Sequence, residues 1–79
     1  MSNTNDRIRN LAAEHLGVAR DTITEESTFE SLGADSLDKI ELLMAVEEAF
    51  GVEIDESVST NWTTIGEVED HIAKLIILS

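Results

Sequence analysis

The sequence predicts an all-α fold: a small four-helix bundle of three longer helices and one short helix, with a long loop between the first and second. Three observations carry that expectation. Apolar residues recur at helical spacing in three separate segments, no stretch alternates over enough residues to make a strand, and the segments are punctuated by glycines and capping residues. The first helix is expected from about Asn5 to Leu16, with Ile8, Leu11, Ala12 and Leu16 on one face, Thr4 or Asn5 as its cap and Gly17 at its end. Residues 18–34 follow as a loop rich in Thr, Ser, Asp and Glu. So long a loop in so small a domain implies either a function or a short turn of helix within it. Ile23, Phe29 and Leu32 are its apolar residues and are expected to pin it to the core.

The second helix is expected from Ser36 to Phe50, capped by Asp35 or Ser36 and closed by Gly51. Leu42, Val46, Ala49 and Phe50, flanked by Ile40 and Leu43, give it an apolar face, with Asp38, Glu41, Glu47 and Glu48 largely opposite. A short helical turn is expected within Glu56 to Asn61. The last helix has the clearest start: Thr64 with Glu67 three residues on is a capping box, followed by Ile65, Val68, Ile72, Leu75 and Ile76 at helical spacing. The expected core draws on Phe29, Leu32, Ile40, Leu43, Met44, Val46, Ala49, Phe50, Ile54, Trp62, Ile65, Val68 and Ile72. With 79 residues, no Pro and no linker-like or repeated segment, residues 1–79 read as a single domain near the lower size limit for one core.

Charge narrows the function classes. The chain holds 17 acidic residues against 5 Lys and Arg, a formal charge of -12. Residues 21–56 contain 12 of the acids and one Lys, a net of -11, which leaves -1 for the remainder. Such a field repels phosphate backbones and anionic lipid headgroups, so nucleic acid and membrane surfaces are poor partners and basic protein surfaces good ones. The polar beginning, Met1 to Asn5, does not read as a signal peptide, and Leu75 to Leu78 is too short to cross a bilayer. A cytoplasmic, monomeric protein without membrane insertion is expected. Clustered carboxylates also repel one another in the folded state, so added salt or magnesium is expected to raise the melting temperature near neutral pH. A melt that both leave unchanged or lower, followed through the single Trp62, contradicts this.

Cys is absent, so any thioester chemistry needs a sulfur from outside. Ser36 stands at the mouth of the second helix in Leu32-Gly33-Ala34-Asp35-Ser36-Leu37-Asp38. A serine nucleophile requires a base and an oxyanion donor. His15 and His71 are the only histidines, and neither falls in a defensible triad with Ser36. No residue is assigned a catalytic role: the serine reads as a substrate of another enzyme.

The stretch from Leu32 to Asp55, LGADSLDKIELLMAVEEAFGVEID, resembles the acyl carrier proteins of bacterial fatty-acid synthesis. The resemblance implies that Ser36 carries a covalent 4′-phosphopantetheine arm derived from coenzyme A. A separate phosphopantetheinyl transferase attaches it, and acyl chains ride on the arm as thioesters. It implies further that Asp35, Asp38, Glu41, Glu47 and Glu48, with Met44 as an apolar contact among them, dock on basic patches of fatty-acid-synthesis enzymes and acyltransferases. Family members sequester the acyl chain between helices. Ser31, Asp55 and Trp62 depart from the commonest family pattern, and Lys39 interrupts the negative face. Those departures leave open a specialised lipid or polyketide pathway. Ala34 and Asp38 favour an acyl over a peptidyl cargo. The rival reading is an acidic helical interaction module, or one binding divalent metal, without an arm. No EF-hand spacing is present and no metal ligands are assigned.

Overall fold

A computed structural model describes residues 3–78. Four α-helices are present among them: α1 (Asn3–Leu16), α2 (Ser36–Phe50), the single turn α3 (Glu56–Ser59) and α4 (Ile65–Leu78). The described residues contain no strand, only an isolated antiparallel bridge between Thr28 and Thr64. The helix α1 packs on both α2 and α4. Ile8 and Ala12 from α1, Leu42, Leu43 and Val46 from α2, and Ile65, Val68 and Ile72 from α4 meet in one buried core that Ile23, Phe29 and Trp62 complete.

Gly17 and Gly51, both left-handed at φ of 68° and 66°, close α1 and α2 where the sequence places them. The start of α1 differs. The helix already includes Asn3, so Thr4 and Asn5 lie within it and neither is its cap. Three residues expected in the core also differ: Ile40, Met44 and Ala49 are exposed. Ile40 and Met44 stand at one margin of the apolar stripe, over the open groove toward the single turn α3, and Ala49 stands on the other side, at a hollow it shares with Arg7 and Leu11 of α1.

The loop between α1 and α2 is held at several points. It contains one turn of 3-10 helix, Arg20–Thr22, and Ile23 and Phe29 are buried with Leu32 packed against them. Thr28 and Ser31 exchange bonds, the Thr28 amide donating to Ser31 Oγ (3.1 Å) and the Ser31 amide to Thr28 Oγ1 (2.9 Å). Backbone bonds then tie the loop to the entrance of α4: Phe29 N to Thr63 O at 3.0 Å, Ile65 N to Ser27 O at 2.9 Å and Gly66 N to Glu25 O at 2.9 Å. That last contact explains a glycine inside a helix. A Cβ on Gly66 would lie 2.8 Å from the Glu25 carbonyl oxygen and 3.2 Å from its Cβ. Gly66→Ala is therefore expected to destabilise by about 1–2 kcal/mol, crowding outweighing the better helix propensity of alanine. A melt at or above wild type contradicts this.

The capping box of α4 forms as expected. Glu67 Oε1 accepts from the backbone amides of Thr63 (2.8 Å) and Thr64 (3.0 Å), while the Glu67 amide donates to Thr64 Oγ1 (3.3 Å). The Thr63 amide, then that of Thr64, holds the Glu67 carboxyl below its ordinary value of 4.5. A depressed carboxyl contributes stability that is fully present above the unfolded value and is lost as pH falls through the folded one. The melting temperature of Glu67→Gln is accordingly expected below wild type at pH 7, with the gap closing from about pH 4.5 downward. A gap independent of pH is the contrary result. Asp55 caps α3. Its Oδ1 accepts from the Ser57 hydroxyl (2.8 Å) and amide (2.9 Å), and in that order these lower its pKa.

Candidate functional site

The first turn of α2 presents a serine that the fold does not use. Asp35, extended at φ -91° and ψ -173°, is the N-cap. Its Oδ1 accepts from the Asp38 amide at 2.8 Å, and Asp38 Oδ2 in turn accepts from the Asp35 amide at 3.2 Å. Ser36 is thereby displaced to the first helical position, where it is exposed and its hydroxyl engages no partner among the described residues. Of the two caps the sequence allowed, Asp35 does the capping. Ser36 is left as a primary hydroxyl over a helix N-terminus, where the partial positive charge favours a phosphate group by about 0.3–1 kcal/mol.

Hollows flank this hydroxyl on both sides. Between α2 and α3 runs an open groove in two continuous parts. The part nearer Ser36, about 190 Å³, is lined by Lys39, Ile40, Leu43, Glu56 and Ser59. The farther part, about 280 Å³, extends along Ile40, Leu43 and Met44 to Ile54. Exposed Ile40 thus has a place in the groove wall. On the other side lies a wider hollow of about 480 Å³ between Ser36, Lys39, Phe29, Trp62 and Thr63.

Of the six residues expected to bind partners, five lie on α2 and Asp35 caps it, but they do not share one condition. Asp35 and Asp38 are engaged with each other's backbone amides. Glu47 Oε2 accepts from the Ile54 amide at 2.8 Å and so braces the segment leading to α3. Glu41 and Glu48 are exposed and have no partner among the described residues. Met44 is 60 % exposed. Leu37, 61 % exposed, was not singled out by the sequence, although its spacing was informative. Leu37, Glu41, Met44 and Glu48 follow at intervals of four, three and four, which places them in one stripe on the side of α2 away from the buried Leu42 and Val46. The outward face is therefore an alternation of apolar and anionic side chains starting beside Ser36.

Lys39 does not neutralise that stripe. It turns inward, donating from Nζ to the Trp62 carbonyl at 2.6 Å and lying 5.2 Å from the centre of the Phe29 ring. Trp62 is itself buried, with its ring 5.0 Å from that of His71. Neither histidine approaches Ser36 closely enough to line its hollows. Among the described residues no group of three or more His, Asp or Glu side chains is placed to hold a metal ion. Among the described residues no helix is long and apolar enough to cross a membrane.

A serine at a helix entrance, with no internal base and a groove leading away from it, suits a covalent tether. The family model described as the phosphopantetheine attachment site matches residues 6–72, which include α2 and α3 in full together with Ser36. The match spans most of the chain, and the chain belongs to this family of carrier domains bearing covalently attached 4′-phosphopantetheine.

Proposed function

We propose that Ser36 is the attachment point and that the protein is an acyl carrier, delivering chains held as thioesters on its arm to enzymes of fatty-acid synthesis or of a related lipid or polyketide pathway. The observation that supports Ser36 most directly is that Asp35 and not Ser36 caps α2, so the serine hydroxyl is exposed and free of structural duty. A phosphopantetheinyl transferase of the cytoplasm would act on it. The Ser36 oxygen forms a bond to the pantetheine-bearing phosphorus of coenzyme A, the pyrophosphate bond breaks, the hydroxyl proton passes to a base of the transferase and adenosine bisphosphate leaves. The arm supplies the thiol that the sequence lacks.

The stripe of Leu37, Glu41, Met44 and Glu48 serves docking in this reading, together with Asp35, Asp38 and Glu47 at its margins. Exposed carboxylates speed encounter with a basic surface and orient it, yet are screened enough at physiological salt for the carrier to leave. The groove along Ile40, Leu43 and Ile54 offers an apolar lining for the carried chain. The direct test is to incubate the protein with coenzyme A and a broad-specificity transferase, weigh it intact and locate the adduct by fragmentation. One arm on Ser36 is expected. An unmodified protein, or an arm on another residue, overturns the assignment.

A further inference from the structure

Among the described residues Lys39 is the one basic side chain lining either hollow beside Ser36. It follows Ser36 by three residues on α2, so the two Cβ atoms are about 5–6 Å apart on adjacent turns. Arg9 and Arg20 are paired with carboxylates, Glu69 and Asp6 respectively. Lys39 is held differently, by a neutral carbonyl and an aromatic face. Its charge is therefore fixed in place, with no carboxylate in ion-pair contact among the described residues, although Glu30, Asp35 and Glu56 line the same hollows. An ammonium has three donors, and the Trp62 carbonyl occupies one.

We propose that Lys39 is a positioning residue for the phosphodiester at Ser36. Its ammonium keeps the Trp62 carbonyl and donates a second hydrogen bond to the phosphate. The root of the arm is thereby tied to the seam between α2 and the segment joining α3 to α4. Bonds of this kind, with both partners charged, are roughly twice as strong as neutral ones. They are directed here by a side chain already anchored at its tip, so little further ordering is required. The inference rests on Ser36 being the attachment point. Its consequence is a coupling: modification stabilises the fold when residue 39 is a cation and does so much less when it is not.

The test compares unmodified and arm-bearing forms of wild type, Lys39→Gln and Lys39→Arg at low salt, each checked by intact mass. In wild type the arm is expected to raise the melting temperature by about 4 °C. Lys39→Gln should abolish most of that rise and shift the ³¹P resonance of the arm, while Lys39→Arg should retain the rise. A purely structural role for Lys39 lowers both forms of Lys39→Gln equally and leaves the rise intact, which overturns the proposal. If Lys39→Gln does not fold, Lys39→Met, which keeps the unbranched stem, takes its place under the same criteria. Absence of the arm from wild-type Ser36 overturns the attachment reading and this one with it. An arm present with an unchanged rise overturns this one alone.

Discussion

A Ser36→Ala chain is expected to fold as wild type does and to accept no prosthetic group. The two halves of that expectation have separate causes. The Ser36 hydroxyl makes no bond among the described residues, and the residue occupies the first helical position, not the cap. Its replacement by the best helix former should leave stability within about 0.5 kcal/mol of wild type. The only loss is then the oxygen that bonds to phosphorus, and the added mass should vanish completely. Asp35→Ala is the informative contrast. It removes the acceptor of the Asp38 amide at 2.8 Å and should cost about 1 kcal/mol, while the hydroxyl and the modification persist. If Ser36→Ala gains the same mass as wild type, the tether lies elsewhere. If it unfolds, the serine has a structural part that its surroundings do not show.

What was legible in the sequence and what was not divides by distance along the chain. Local signals read correctly: α2 runs from Ser36 to Phe50, Thr64 and Glu67 form their box, and Ile23, Phe29 and Leu32 hold the loop down. Each depends on residues within about one helical turn, or on an apolar side chain alone among polar ones. The start of α1 was missed because Asn3, Thr4 and Asn5 are all acceptable near a helix entrance, and nothing local chooses among them. Ile40, Met44 and Ala49 were misplaced because periodicity gives a face but not how much of it neighbouring elements cover. Roles that depend on distant partners left no trace. Nothing near Lys39 announces the Trp62 carbonyl, 23 residues away, and nothing near Glu69 announces Arg9, 60 residues away. The stretch that carries the resemblance is contiguous, which is why the family was readable when the electrostatics around it was not.

Breaking the Arg9–Glu69 pair is expected to have the largest effect on stability of any single polar change. Glu69 on α4 is 2 % exposed, the one charged residue buried among the described residues. Arg9 on α1 grips it with both ends of its fork, Nε to Oε2 at 2.6 Å and Nη2 to Oε1 at 3.1 Å. The hydrogen bonding that Arg9 donates to Glu69 is the chief cause that raises the Arg9 pKa above its ordinary value, so the cation persists at every practical pH. Arg9→Met leaves a carboxylate surrounded by protein with no counter-charge. Removal of one member of a buried pair costs about 3–5 kcal/mol. The Arg9 side chain is 22 % exposed, so water can reach the vacated site and the lower end, about 3 kcal/mol, is expected. That is a large fraction of the roughly 4–12 kcal/mol available to a domain of this length. Replacing both residues, Arg9→Met with Glu69→Leu, removes the stranded charge together with its partner and should recover most of the loss, because the desolvation that the pair overcomes is no longer incurred. The four chains form a double-mutant cycle, read by denaturant unfolding, with an expected coupling of about 2–3 kcal/mol. Losses that simply add would mean that Glu69 is accommodated by its surroundings without Arg9, and that the contact joining α1 to α4 is apolar packing alone.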